Sequence, residues 1–259
     1  MLLTYNLVTQ PWIPVRLHDR SRTTLSLHDT LLRAKDLVGI EDPSPLVTMA
    51  LYRFLLAVLY RALEGPATLD DAQALFTHGL PARRITAYLK RWTGRFDLFD
   101  ANYPFAQHYF FQPKHPRPWT ALGAEYNADT AKVLFDHSDV RRPGTIPPAQ
   151  AARLLLATHT FSISAGKSEL AHTSTAPSAT AAMILPMGRT LEDTLICGLV
   201  PQSVDTAHHD QPMWERDPEI LDTLARGVTR SVEGYASLYS WPSRTITLLA
   251  RPDGMTDSI

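Results

Sequence analysis

Pro45-Leu-Val-Thr-Met-Ala-Leu-Tyr-Arg-Phe-Leu-Leu-Ala-Val-Leu-Tyr-Arg-Ala-Leu63 decides the fold. Leu46, Val47, Met49, Ala50, Leu51, Phe54, Leu55, Ala57, Val58, Leu59, Ala62 and Leu63 cover most of a helical circumference. A helix apolar nearly all round belongs at the centre of a core, because no face of it is left for water. Gly65-Pro66 closes the run, as helix C-terminal chemistry requires. Arg53 and Arg61 interrupt it, so it does not read as a bilayer span.

Upstream, residues 2–7 and 12–17 read as short strands separated by the turn signal Gln10-Pro11, with a further strand at 23–25. Ser26 is an N-cap for a helix over 27–36, with Asp29 in its first turn. Asp42-Pro-Ser-Pro45 is a break. Downstream, 69–77 and 81–92 are weaker helices, the second carrying Arg83, Arg84, Lys90 and Arg91, with Arg95 just beyond. From 96 to 144 periodicity is lost among aromatic residues and prolines, which predicts packed irregular loops with short strands. A loop region of that length is often functional.

Pro147 and Pro148 open a helix over 147–160. A strand is expected at 181–185 and a helix at 190–199, capped by Thr190 with Glu192 and Asp193 in its first turn. Residues 201–233 read as polar and irregular, with a short helix near 219–226. Residues 245–250 read as a strand, and Arg251-Pro-Asp-Gly254 as a hairpin turn. Only five residues follow that turn, so the chain reads as cut or shortened in the middle of a sheet. The class is α+β: mixed helices and sheet in one large domain, residues 1–259, with long irregular loops.

Composition narrows the function. Of 259 residues 44% are hydrophobic and 20% charged, enough for a sizeable core and against wholesale disorder. A formal charge of −1 is not that of a stand-alone nucleic-acid binder, so such a role requires a local patch or a larger basic assembly. Cys197 is the only cysteine, which excludes an internal disulfide and a multi-cysteine zinc site and fits a reducing cytoplasm. The N-terminus lacks the basic region of a signal peptide.

The stretch with the strongest functional signature is Phe161-Ser-Ile-Ser-Ala-Gly-Lys-Ser168, continuing through His172-Thr-Ser-Thr-Ala-Pro177. It is rich in small residues and low in charge, a composition suited to backbone lying close to a ligand rather than to core packing. Ser162, Ser164, Ala165, Gly166, Lys167, Ser168 and His172 are the candidate nucleic-acid-facing residues. Lys132, Arg141 and Arg142 are candidate phosphate contacts. The α-helical cluster Arg83, Arg84, Lys90, Arg91, Arg95 is either a solvated face or a phosphate track.

Other chemistries fit less well. Gly166-Lys167-Ser168 is the tail of a phosphate-binding P-loop, but its first glycine position is Phe161, and a helix precedes where a strand is required. His208-His209-Asp210 invites metal-dependent phosphate chemistry, yet its flanks read as a surface loop. Ser138, within Asp136-His-Ser-Asp139, lacks the strained turn of a nucleophile, and Asp136 and Asp139 suit turn chemistry.

In order along the chain, several stretches resemble the CasA family, the large subunit of Cascade, the type I-E CRISPR surveillance complex. They are Trp12-Ile-Pro-Val15, Ser26-Leu-His-Asp-Thr-Leu-Leu-Arg-Ala34, residues 45–63, Tyr103-Pro-Phe-Ala-Gln107 and Leu134-Phe-Asp-His-Ser-Asp139. Residues 147–167 and 191–201, Gln211-Pro-Met-Trp-Glu-Arg-Asp-Pro218 and Trp241-Pro-Ser-Arg244 complete the set. The resemblance implies a non-catalytic subunit without cofactor. Its partners are the other Cascade subunits, CRISPR RNA, double-stranded target DNA and a helicase-nuclease effector. It implies inspection of a protospacer-adjacent motif from the minor groove, help in opening the duplex, and a glycine-rich loop that corresponds by position to 161–172. Two departures stand out. Only Gly166 remains of the family's glycine run, and the family's lysine finger, strand-parting wedge and C-terminal helical bundle would lie beyond Ile259. Two rival readings remain: a protein-interaction subunit without DNA contact, and a metal-dependent phosphohydrolase using His209 and Asp210.

Overall fold

The protein is described from a computed structural model covering residues 3–108, 111–112, 114–128, 133–136, 139, 141–163, 175–217 and 231–259. Helix α2 (Pro45–Leu63) starts where Ser44 accepts the Val47 N–H at 3.2 Å, with Pro45 in the first turn. Thirteen of its 19 residues are buried, covering every side. It is the one helix among the described residues long and apolar enough to cross a membrane, and 72% of its apolar window is buried inside the domain. Protein, rather than lipid, covers it. Its left-handed C-terminal residue is Glu64 (φ 49°, ψ 40°), one position before the expected glycine. Arg84 Nη2 donates to the Leu63 carbonyl at 2.7 Å and supports that end.

The elements around α2 follow from covering it. Strands β1 (Ile13–Leu17), β2 (Arg22–Leu25) and β3 (Leu37–Ile40) form an antiparallel sheet in the order β2-β1-β3. Ile13 and Val15 point into the core while Arg16 stays outside, the period-2 alternation of a half-buried strand. Helix α1 (Leu27–Leu32) is capped by Ser26, which accepts the Asp29 N–H at 3.0 Å. It ends earlier than expected, passing through a 3-10 turn at Ala34–Asp36 into β3, a strand that sequence periodicity does not reveal. Helices α3 (Leu69–His78), α4 (Ala82–Trp92), α5 (Pro148–Phe161), α6 (Leu191–Gly198), α7 (Val204–His209) and α8 (Tyr235–Tyr239) complete the helical part. Of these, α4, α5 and α8 pack most extensively on α2.

Both arginines of α2 are used inside the protein. Arg61 makes a two-pronged pair with Glu215 at 3.0 and 2.8 Å and donates to the Ala207 carbonyl at 2.8 Å. Tyr88 Oη donates to the same Glu215 at 2.7 Å and accepts the Trp214 indole N–H at 2.7 Å. Burial, then the Glu215 charge, push the Tyr88 phenol well above its usual range. Arg53 donates to the Leu238 carbonyl at 3.0 Å and lies 4.6 Å over the Tyr239 ring.

Several expectations are corrected. Residues 3–7 form no strand, because the Asp97 carboxylate takes the Tyr5 N–H (3.1 Å), leaving only an Asn6–Asp97 bridge. Residues 181–185 find no strand partner among the described residues, and Ile184 is exposed. The strand expected over 245–250 shrinks to β4 (Leu249–Ala250). The backbone before it is engaged by the 107–108 segment: His108 N–H donates to Ile246 O (2.9 Å), and Leu248 N–H to Gln107 Oε1 (2.7 Å). The hairpin forms at Gly254 (φ +82°), and its return strand β5 (Thr256–Ser258) is paired on β4 and bridged to Ile146 and Pro118. The hairpin is therefore not the unmatched edge expected from the sequence. The expected helix near 219–226 lies outside the described residues.

Replacing Leu55, fully buried on α2, by Ala is expected to destabilise the domain by about 2–5 kcal/mol in urea denaturation. A loss below about 1 kcal/mol would make α2 peripheral to stability.

Candidate nucleic-acid interface

Helix α5 delivers the small-residue loop. Pro148 pre-sets its first turn, and Ala151, Leu154, Leu155 and Leu156 bury it against α2. At its last turn Thr158 Oγ1 donates to Leu154 O (2.8 Å) and Leu122 O (2.6 Å), and Thr160 Oγ1 donates to Leu156 O (2.8 Å). The chain then turns extended at Ser162 (φ −65°, ψ 131°).

Both ends of the loop are pinned together. The Ser162 carbonyl accepts the Ala176 N–H at 2.9 Å, and the Thr160 carbonyl accepts the Ser178 N–H at 3.0 Å. Ala176 and Ser178 are buried. Arg244 adds a third tie: its Nη2 donates to the Ser162 carbonyl at 3.1 Å and its Nη1 to the Ser243 carbonyl at 2.7 Å. The described residues on either side of 164–174 are thus tied to one another by backbone hydrogen bonds and a guanidinium. Ile163, the first residue past the base, is exposed.

His159 sits beneath this stem, fully buried. Its Nε2 is 2.9 Å from the Ala106 carbonyl; a carbonyl only accepts, so the neutral ring carries its proton on Nε2. Nδ1 has no partner among the described residues. Burial, seconded by the Arg244 charge, depresses the imidazole to about 4, the Ala106 bond partly opposing the shift. A small cleft beside it is lined by Arg53, His159, Thr160, Pro177, Tyr239 and Trp241.

Of the candidate residues, Ser162 is in the stem, with its Oγ buried and unpartnered among the described residues. Ser164, Ala165, Gly166, Lys167, Ser168, His172 and Lys132 lie outside the described residues. Arg141 and Arg142 are exposed, and their backbone N–H groups turn on Asp139. They precede the N-terminal end of α5, whereas the loop leaves its C-terminal end, about 21 Å along the helix axis. In the α4 cluster, Arg84 is held at the end of α2, and Arg95 pairs with Asp217 (3.1 Å) over the Tyr103 ring (3.7 Å), leaving Arg83, Lys90 and Arg91 outward.

The His208-His209-Asp210 stretch is not the expected surface loop. The two histidines end α7, and Asp210 is buried with its oxygens accepting the Ala236 and Ser237 N–H groups at 2.7 Å each, capping α8. No group of three or more potential metal ligands occurs among the described residues. Asp139 serves a turn, its Oδ1 accepting the Arg141 N–H at 2.9 Å, whereas the Asp136 carboxylate accepts the backbone N–H of Asn127, nine residues away.

Sequence reasoning missed Arg244 and His159. A signal for each exists: Arg244 closes Trp241-Pro-Ser-Arg244, a stretch of the family resemblance, and His159 continues the buried i, i+4 row of Ala151 and Leu155.

These features define an α+β domain built on one buried helix, with a stem at the end of α5 tied by Ala176, Ser178 and Arg244. The chain belongs to the CRISPR-associated protein Cse1 family, whose model matches residues 6–258. It is 36% identical over 255 residues to CRISPR-associated protein CasA/Cse1 of Thermus thermophilus, covering 97% of this chain and 50% of that relative. The Thermus thermophilus CasA (Cse1) structure superposes with a TM-score of 0.85 at 32% identity, over 98% of this chain and 51% of the other. A chain of a CRISPR RNA-guided surveillance complex shares the fold, with a TM-score of 0.81 at 23% identity over 98% of this chain and 55% of the other. The chain thus spans about half the length of these relatives.

Two outcomes are expected. The unfolded His159 binds a proton near the ordinary 6.5 and the folded one only near 4, so its contribution to stability is full above 6.5 and is lost as pH falls through 4. Urea titrations of the parent and His159→Gln should show a steeper loss in the parent over that window, by up to roughly 3 kcal/mol. Equal slopes would remove His159 as the source. In Arg244→Ala the Ser162 carbonyl loses a charged donor worth about 1.5–3 kcal/mol, so exchange of the Ala176 amide should quicken by roughly tenfold or more. Unchanged exchange would show that the backbone bonds alone hold the stem.

Proposed function

We propose that this chain is the N-terminal, DNA-facing part of the large subunit of a CRISPR RNA-guided surveillance complex acting in the cytoplasm. Its role there is to inspect the protospacer-adjacent motif of duplex DNA, to assist opening of the duplex and to contribute to recruitment of a helicase-nuclease. Membership of the Cse1 family supports the reading, as does the shared fold with a chain of an RNA-guided surveillance complex. The observation that carries it is the stem: the residues flanking the small-residue stretch are pinned together at Ser162, Ala176 and Ser178. A minor groove offers a degenerate pattern of acceptors and is read by close backbone approach and a few basic groups. Gly166 allows the approach, and Lys167 reaches a phosphate or a base-edge acceptor. The subunit is non-catalytic: it binds and positions. With a formal charge of −1, the bulk of phosphate neutralisation comes from CRISPR RNA-bound partner subunits.

The competing reading is a protein-interaction subunit without DNA contact, favoured by the exposed Leu134 and Phe135. Titration of the assembled complex against duplexes of different motif at two salt concentrations separates them. If Lys167 contacts phosphate, Lys167→Ala weakens all duplexes alike and lowers the salt slope by about one unit. If it reads a base edge, the loss is roughly 1–3 kcal/mol on preferred motifs only. Gly166→Val weakens binding with the slope unchanged, since it adds bulk and removes no charge. Parental binding by both variants would make the loop a surface connection and favour the second reading.

A further inference from the structure

We propose that the outer face of α4 holds a nucleic-acid phosphate backbone through Arg83, Lys90 and Arg91, whatever the base sequence. The helix divides cleanly into two faces. Ile85 and Leu89 are buried, and Tyr88 and Trp92 pack against the core beside them. At about 100° per residue these four share one arc of roughly 100°, and Arg83, Thr86, Ala87, Lys90 and Arg91 share the opposite arc of roughly 140°. All five residues of that second arc are exposed. Residues 82–96 contain neither Asp nor Glu. Arg84 is engaged with the Leu63 carbonyl and Glu64, and Arg95 with Asp217. Arg83, Lys90 and Arg91 have no ion-pair partner among the described residues; Arg91 lies only near the adjacent Trp92 ring, 5.4 Å from its centroid.

A row of like charges without counter-charge attracts an anionic partner, and the rest of the face says which kind. It offers no apolar anchor, because every large apolar side chain of α4 is turned to the core and only Thr86 and Ala87 stand between the cations. Protein partners are held at aromatic or aliphatic anchors, on surfaces poor in lysine. A phosphate backbone instead needs cations on long stems, room to approach and hydroxyl groups. Ala87 leaves the room, and Thr86, its Oγ1 3.5 Å from His28 Nε2, adds the hydroxyl. Arg83 and Lys90 stand about 10.5 Å apart along the helix axis, the rise of about three base steps. Contacts of this kind fix the position of a strand and carry no sequence information. The inference rests on the reading of the chain as a subunit of a nucleic-acid complex, but not on the stretch after α5, which would discriminate between motifs where α4 would not.

The test titrates the assembled complex with fluorescent duplexes of preferred and non-preferred motif between about 50 and 200 mM salt. Combined Arg83→Gln, Lys90→Gln and Arg91→Gln should lower the slope of log K against log salt by about 2–3 units, at roughly 0.9 per phosphate contact. It should weaken both duplexes alike and leave Tm near the parent's, since all three positions are exposed. Removing three exposed cations elsewhere, by Arg20→Gln, Arg189→Gln and Arg251→Gln, should leave the slope unchanged. If the strand held is the CRISPR RNA, the duplex slope stays and the loss appears in association of the chain with the RNA-loaded remainder of the complex. The proposal is overturned if neither slope moves, or if the control variant lowers it equally, which would make net charge the cause. It is equally overturned if the α4 variant associates less well with RNA-free partner subunits, which would make an acidic protein surface the occupant. Parental slopes in the α4 variant beside a loss in Lys167→Ala would sink this proposal alone, and the reverse result would sink only the reading of the stretch after α5.

Discussion

Phe54 lies midway along α2, with the rings of Trp12, Phe105 and Trp214 each 5.6 Å away and Phe96 at 6.3 Å. Those four rings come from the entry to the first strand, from two points of the long irregular region and from the segment after α7. Each edge or tilted contact is worth about 0.5–1.5 kcal/mol beyond the area it buries. Their larger effect is topological. A side chain at the centre of an all-round apolar helix cannot be covered by neighbours in sequence, so distant stretches must be drawn to it. That requirement gives the 96–108 stretch a fixed path despite its scarcity of regular structure. Phe96 and Phe105 are held by the ring cluster, and the backbone beyond them is tied at His108 to Ile246.

The ion pair beside this centre is compensated group by group. Arg61 and Glu215 are both largely withdrawn from water, a situation in which desolvation rivals the attraction between the charges. What makes the pair tolerable is saturation. Glu215 receives two guanidinium N–H groups and the Tyr88 hydroxyl, while Arg61 has a further acceptor at Ala207. The network therefore contributes register more than net stability. It fixes which turn of α2 faces the 211–217 stretch, and through Tyr88 it fixes α4.

How much of this was legible in the sequence depended on whether the signal was local. The limits of α2, the Ser26 and Thr190 caps and the Gly254 turn are decided by residues within one turn of themselves, and they were readable. Strand β3 was not, because four residues, Leu37–Ile40, carry too little periodicity to outweigh a preceding helical pattern. The strands expected at 2–7 and 181–185 failed for the opposite reason. Their composition suits a strand, but pairing is a property of the partner, and Asp97 or solvent took its place. At the site, the composition of the loop was visible, whereas its closure was not. That closure joins residues 14 to 18 positions apart along the chain and adds Arg244 from 82 positions away.

The placement of the loop also constrains how it can act. Helix N-termini gather anions with unpaired N–H groups, but this loop leaves α5 at the carbonyl end, where the helix field is unfavourable to phosphate. The described residues of the stem do not offset it. His159 in the last turn is neutral near pH 7, and the Arg244 guanidinium is turned inward onto the Ser162 and Ser243 carbonyls. What the described residues supply to the proposed contact is therefore not long-range charge but a fixed base, with Ser162 tied to Ala176 and Arg244. The stem bonds matter because they hold the two ends of the stretch together, so the closure entropy between Ser162 and Ala176 is lost on folding and not at the encounter.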